Sequence, residues 1–382
     1  MLGEHGLANP IMRNVGPAGE RKASSKGGIE IPADIEIISA DTHWEVTEDI
    51  YVKGFPEHLK DKAPRVWYDT YWRFGQPGLK EAQGISEEVT KLLSRSQLNT
   101  AWQHEVRSEH LKQEGITQEI VFPNNLLGYT DPDPEVREWI FRCYNMYMAE
   151  QHEKSASFNG VGIVSNWWDQ DKIEGSFAQL KELGLKAAMV PHQLKDGENK
   201  PLSFADPRMD PFWEALTRSG LPLCLHVGEP TKFEGRGGIA AGVLPALAPF
   251  RGPISQLVFG GVFDRHPDVK VIFVEAGIAW VLPWLQDAEA MYDTHGPCMD
   301  PIEHRPSYYW HHNCYATFQA DILGLRNLDI LGADRVMWAT DYPHSEGTFG
   351  FTWDAIEAVL KATTHEEAKM ILGGTAKKLF RL

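Results

Sequence analysis

Short runs of β-branched and apolar residues recur along the chain, each breaking off in polar residues and leading into a stretch with helical spacing. The first is Ile35–Glu36–Ile37–Ile38–Ser39–Ala40–Asp41–Thr42–His43. Seven more lie at 119–122, 160–164, 187–190, 221–226, 269–275, 313–317 and 335–341. Between them, Lys172–Leu185 sets Phe177, Leu180 and Leu183 at helical spacing, and Asp210–Ser219 carries Phe212, Trp213 and Leu216 before Gly220. Arg251–Arg265 and Asp354–Ala362 behave alike. Strands alternating with helices imply parallel pairing through right-handed crossovers. Eight such units predict an α/β chain closed into a (β/α)8 TIM barrel, whose functional residues sit at the C-terminal ends of the strands. An open doubly wound sheet is the competing arrangement. No GxGxxG follows the first strand, which removes its commonest cofactor-binding version.

The pattern is interrupted twice. Residues 46–116 are too long for a simple crossover and read as a cap or insertion beside the barrel mouth. It carries Trp67, Tyr68, Tyr71, Trp72 and Phe74 and then a charged helical segment near Ser86–Lys112. Residues 1–32, rich in Gly, Pro, Ser and Lys, read as a flexible N-terminal arm ahead of a barrel spanning 33–382. The arm and the exposed aromatics allow a homodimer.

Composition narrows the function classes. With 37 Lys+Arg against 53 Asp+Glu, the formal charge is −16, which disfavours nucleic-acid and anionic-membrane partners and leaves a small-molecule substrate. No apolar run approaches the ~18 residues of a membrane span. The N-terminus lacks the features of a secretory signal, and Cys143, Cys224, Cys298 and Cys314 are scattered without metal spacing. Reduced thiols and a cytoplasmic location are the expectation.

Strand alternation puts Ser39, Asp41, His43 and Glu45 on one face of the first strand. It puts Cys224 with His226 on the fifth, and Met337, Ala339 and Asp341 together on the last. Imidazole and carboxylate converging at strand ends suit a divalent ion, although each residue taken alone reads equally well as a strand cap. Glu275, among apolar neighbours at the end of the sixth strand, has the setting of a raised-pKa general acid or base. His344, three residues past Asp341, is placed for substrate or for the metal's surroundings. His192, after the fourth strand, Trp168, after the third, and Asn124, after the second, are substrate-facing candidates, with Asn125, Trp167 and His311–His312 weaker ones.

On these residues the sequence resembles the amidohydrolase-related family, the branch of the metal-dependent amidohydrolases that includes aminocarboxymuconate-semialdehyde decarboxylase. The resemblance rests on Asp41-Thr42-His43-Trp44-Glu45, Leu225-His226-Val227-Gly228, Asp264-Arg265-His266-Pro267-Asp268, Glu275-Ala276-Gly277-Ile278-Ala279-Trp280 and Thr340-Asp341-Tyr342-Pro343-His344. It implies a distorted (β/α)8 barrel and metal ligands at His43, Glu45, His226 and Asp341, with Glu45 standing where the family's HxH pair has its second histidine. No lysine ends the fourth strand, so the resemblance implies one divalent ion, Zn2+ first and Mn2+ second. Glu275 stands where the decarboxylases usually carry a histidine.

The expectation that follows is a metal-dependent hydrolase. It would activate water at a mononuclear site to cleave a C–N, C–O or activated C–C bond in a small aromatic or carboxylated substrate. Asp341, Glu275 and His344 are its catalytic candidates, and His192, Trp168, Asn124 and Trp280 its substrate-binding ones. Two rivals stand beside it: a non-oxidative decarboxylase of an aromatic or muconate-type acid, and a metal-free binding protein on a decayed barrel.

Overall fold

The computed structural model describes residue 16 and residues 18–69, 71–75, 98–124, 133–228 and 236–382. Strand β1 (Ile38–Trp44) is followed by the insertion, which carries an antiparallel hairpin of β2 (Arg65–Asp69) and β3 (Tyr71–Gly75). Then come β4 (Gln118–Pro123), β5 (Phe158–Gly160), β6 (Gly162–Ile163), β7 (Ala188–Met189), β8 (Leu223–His226), β9 (Val271–Val274), β10 (Cys314–Phe318) and β11 (Val336–Trp338).

All pairings outside the hairpin are parallel, in the orders β1-β4-β5 and β6-β7-β8-β9-β10-β11. Two junctions join these sheets. β5 and β6 are one extended stretch broken only at Val161, whose N–H donates to Val121 O, while Gly162 N–H donates to Ala187 O. At the other side, Thr42 bridges Tyr342 in parallel. There Asp341 N–H donates to Asp41 O (2.9 Å) and His43 N–H to Tyr342 O (2.7 Å). Eight strand positions thus run round a ring, in agreement with the eight apolar runs of the sequence. Strands covered on both faces have no solvated side, which is why those runs are nearly continuous; every residue of β5 to β11 is buried.

The helices fall between strands as expected, with one difference. The helix over Asp210–Ser219 ends at Gly220, which takes the left-handed conformation of a C-terminal cap (φ 66°). The stretch read as one helix over Arg251–Arg265 is two, Arg251–Phe259 and Val262–Arg265. Gly260 and Gly261 break it: Gly261 adopts φ 65°, and a Cβ on Gly260 would lie 2.2 Å from that of Ala205.

Of the charged helical segment expected near Ser86–Lys112, residues 86–97 lie outside the described residues, and the remainder forms a 3-10 turn, Asn99–Trp102, and the helix His104–Gln113. Its Arg107 is buried against Glu119 of β4. The arm is tied down from Ala18 onward. Arg21 donates to the carbonyls of Ser345 (2.6 Å), Gly347 (3.0 Å) and Phe349 (3.3 Å). Glu114 accepts from Ser24 N–H and Gly350 N–H. Among the described residues no helix is long and apolar enough to cross a membrane.

Candidate metal centre

β1, β8, β9 and the turn after β11 deliver their ionisable side chains to one place, where Asp41, His43, His226, Glu275 and Asp341 are all buried. His43 Nε2 lies 3.1 Å from Asp341 Oδ1 and 3.5 Å from Asp41 Oδ1. His226 Nε2 lies 3.3 Å from the same Asp41 oxygen, and its Nδ1 lies 3.5 Å from Glu275 Oε2. His344 Nδ1 is 3.0 Å from Asp341 Oδ1 and 3.8 Å from Glu275 Oε1. Two overlapping sets of donor atoms, Asp41–His43–His226–Glu275 and His43–Glu275–Asp341–His344, each lie within 4.8 Å of one another.

The backbone is bent to achieve this. Glu275 and Asp341 both take left-handed φ values (73° and 55°), a conformation that costs a non-glycine residue about 1–3 kcal/mol. Glu275 is held there by its N–H on Thr317 Oγ1 at 2.9 Å.

Hydrogen bonds on the far side of two rings settle which nitrogens face the centre. His43 Nδ1 is 3.0 Å from Pro123 O, and His226 Nδ1 is 2.6 Å from Val227 O. A carbonyl only accepts, so each Nδ1 carries the hydrogen and each Nε2 is bare in the neutral ring. Two bare nitrogens therefore face carboxylate oxygens at close range. Among the described residues, both oxygens of Asp341, Oδ2 of Asp41, His43 Nε2 and His344 Nδ1 have no hydrogen-bond partner. Buried acceptors aimed at one another are unfavourable unless a cation lies between them. The residues present therefore fit a divalent ion, and the N/O donor set with no thiolate suits Zn2+ or Mn2+.

Without a cation, protons take its place. Burial opposes charge on His226, but Asp41 and Glu275 outweigh it and push the imidazole up to about 9. His344 is likewise driven well above its usual range, against burial, by Asp341 and Glu275. Burial and the neighbouring His344 hold His43 down to about 3. Asp341, despite burial, is kept below the ordinary carboxylate range by His344 and His43. Burial lifts Asp41 to about 6, and burial together with the Asp341 charge lifts Glu275 to about 8, so Glu275 holds a proton at neutral pH.

A cavity of about 180 Å3 opens onto the cluster. His43, His226, Glu275 and His344 lie at its floor, with Pro123, Val243, Ala246 and Leu247 as apolar wall and Asn124 and Glu346 as polar rim.

The structure brings together His43, His226, Glu275, Asp341 and His344 of the sequence candidates. Glu45 stands outside both donor sets: its Oε1 accepts from Val46 N–H (3.0 Å) and its Oε2 from Asn124 Nδ2 (2.6 Å). Asn124 lines the cavity, whereas Asn125 falls outside the described residues. His192 lies behind His226, with Nδ1 3.3 Å from its carbonyl, and edge-on to Phe250. Trp168 stacks on Arg137 (3.9 Å), and Trp280 packs on Phe273; neither lines the cavity. Asp41 was missing from the candidates, although the same alternation that selected His43 placed it on the same face.

A family model described as amidohydrolase matches residues 135–382. Over 346 residues the chain is 27% identical to gamma-resorcylate decarboxylase of Rhodococcus jostii (strain RHA1), covering 86% of this chain and 96% of that protein. Among solved structures, an amidohydrolase from Mycobacterium avium subsp. paratuberculosis superposes with a TM-score of 0.71 at 18% identity, covering 91% of this chain and 98% of that one. A 5-carboxyvanillate decarboxylase from Novosphingobium aromaticivorans, complexed with manganese and 4-hydroxy-3-methoxy-5-nitrobenzoic acid, gives 0.66 at 21% identity, covering 94% and 99%. At these identities the two structures speak for the fold.

Proposed function

The chain belongs to the amidohydrolase family, and within it we propose a metal-dependent, non-oxidative decarboxylase of a small hydroxylated aromatic acid. The observation that carries this reading is the buried cluster of bare nitrogens and unpartnered carboxylate oxygens beneath a small, largely apolar cavity. Likeness along nearly the whole of a gamma-resorcylate decarboxylase favours carboxyl loss over the hydrolysis that the sequence put first.

His43 and His226, through Nε2, and His344, through Nδ1, together with Asp341 and Asp41 would hold the ion. Mn2+ is present in the carboxyvanillate decarboxylase, and the donor set accepts Zn2+ equally. When bound, such an ion supplies Lewis acidity to the substrate's carboxylate and neighbouring phenol oxygen. The cavity falls below the ~300–1,000 Å3 typical of drug-sized ligands, which suits a single ring against Val243, Ala246 and Leu247.

Glu275, which lines the cavity and whose burial favours the protonated form, is the acid assigned to deliver a proton to the ring carbon that bears the carboxylate. A C–H bond forms there, the C–C bond breaks, CO2 leaves, and the Glu275 carboxylate recovers a proton from solvent. General acid catalysis of this kind contributes about 10²–10⁴-fold. Asp341, held ionised, contributes charge to the ion rather than the proton.

The test is incubation of the metal-loaded enzyme with mono- and dihydroxybenzoates in D2O, beside amide, ester and lactone panels in H2(18)O. CO2 release with one deuterium at the vacated ring carbon is expected. Turnover of the second panel with 18O in the product, and no CO2 from the first, would reinstate the hydrolase.

A further inference from the structure

Glu45 stands two residues beyond His43, yet its side chain turns away from the cluster and onto Asn124. We propose that Glu45 is a positioning residue: through Asn124 it fixes which nitrogen of His344 carries the hydrogen, and so presents Nδ1 of that ring to the cation site. The inference rests on reading the cluster as a cation site, and it goes beyond the reaction assigned to it.

The argument is one of donors and acceptors. Glu45 is buried, with Oε1 occupied by Val46 N–H (3.0 Å) and Oε2 receiving Asn124 Nδ2 at 2.6 Å. A carboxylate only accepts, so Asn124 must offer Glu45 its NH2 and turn its carbonyl oxygen the other way. That oxygen is 2.8 Å from His344 Nε2. It too only accepts, so Nε2 must carry hydrogen, and the opposite nitrogen, Nδ1, faces Asp341 Oδ1 at 3.0 Å. Asn124 is itself held in place, because its backbone N–H donates to Trp44 O at the end of β1. The chain of constraint thus starts at one carboxylate and ends at the ring that stacks on His43 with centroids 4.0 Å apart.

A glutamine at position 45 breaks the logic while preserving shape, because it offers either an oxygen or an NH2. Asn124 is then free to turn round and select a bare Nε2 on His344. The experiment uses enzyme labelled with 15N-histidine and loaded with diamagnetic Zn2+, the His344 signals being assigned by their loss in His344→Gln. The unmodified enzyme should show hydrogen on Nε2. Glu45→Gln should add a second population with bare Nε2 and weaken Zn2+ binding about 10–100-fold, the usual effect of losing an outer partner of a ligand ring. Asn124→Leu, which bonds neither residue, should weaken Zn2+ to the same extent. Unchanged His344 signals and affinity in Glu45→Gln overturn the proposal. So does a loss of Zn2+ with unchanged His344 signals, which would put Glu45 on the ion itself. CO2 release by the unmodified enzyme does not enter either readout, so this proposal and the assigned reaction fail separately.

Discussion

Arg107 offers the sharpest test of how the barrel holds its site. It is 1% exposed, and its guanidinium grips Glu119 with Nε–O distances of 2.9 and 3.1 Å and an Nη2–O distance of 2.6 Å. Its Nη1 donates to the backbone carbonyl of His43 at 2.9 Å, and its planar head lies over the rings of Tyr342 (4.9 Å) and Trp44 (5.5 Å). Arg107→Met keeps most of the volume but leaves Glu119 buried, with only Thr42 Oγ1 among the described residues donating to its side chain, at 2.9 Å. Removing one partner of a buried ion pair costs about 3–5 kcal/mol, because the other charge is left uncompensated. The double change Arg107→Met/Glu119→Leu removes that charge and should recover most of the loss. What remains is the unpaired His43 carbonyl, worth about 1–3 kcal/mol. Equilibrium denaturation followed by tryptophan fluorescence, on both variants and on Glu119→Leu alone, reads each term. A single variant costing under about 1 kcal/mol, or a double variant as unstable as the single, would show that the pair does not anchor β1 to β4 in this way.

Three further outcomes are expected. Asp341→Asn should abolish turnover while far-UV circular dichroism stays unchanged, since it removes the charge assigned to the ion and no core volume; residual activity near that of the unmodified enzyme would refute that assignment. Metal affinity should climb with pH, because His226, pushed up to about 9, and His344, driven well above its ordinary range by Asp341, are protonated in the metal-free protein and must each release a proton to bind. Each proton released makes the apparent association constant rise about tenfold per pH unit below the pKa of the group that loses it, and calorimetry in buffers of different ionisation enthalpy counts the protons directly; a flat profile between about pH 6 and 8 would refute it. Arg21→Ala should free the segment after His344, for it removes three charge-assisted bonds to the carbonyls of residues 345, 347 and 349. At about 2 kcal/mol for this half-buried group, the amides of Gly347 and Thr348 should exchange about 30-fold faster, which hydrogen-exchange mass spectrometry would detect.

The barrel was legible because both of its faces are covered. Strands such as Val271–Val274 are apolar throughout, and the polar residue that ends each run marks where the strand leaves the core. Local chemistry was equally plain at Gly220, where a left-handed cap ends a helix. Long-range bonds were another matter. Arg21, with three of its four acceptors more than 320 residues away, looked like one more cation in a polar arm, and nothing near it in sequence announces those three distant carbonyls. Arg107 in its charged, weakly amphipathic helix is indistinguishable by pattern from its exposed neighbours. The cavity-facing aromatics expected at Trp168 and Trp280 went elsewhere for the same reason: a ring near a strand end packs wherever another ring or a cation waits, here Arg137 and Phe273.

The first strand shows where such pattern reading stops. Asp41, His43 and Glu45 alternate correctly, so all three belong to one face, and with about 3.3 Å of rise per residue the two carboxylates stand some 13 Å apart along it. One ion beside His43 can take a neighbour from only one side. Alternation says nothing about which; the end of the strand does. β1 runs to Trp44, so Asp41 is fixed inside the ring, its backbone carbonyl bonded to Asp341 N–H across the seam, with its carboxylate beside the Nε2 atoms of both histidines. Glu45 lies one residue past the strand, where the chain turns, and its side chain meets the Asn124 amide brought up at the end of β4. The family's pattern supplied the expectation of a ligand two residues after the histidine. The seam between first and last strands supplies a carboxylate two residues before it, and that seam exists only once the ring has closed.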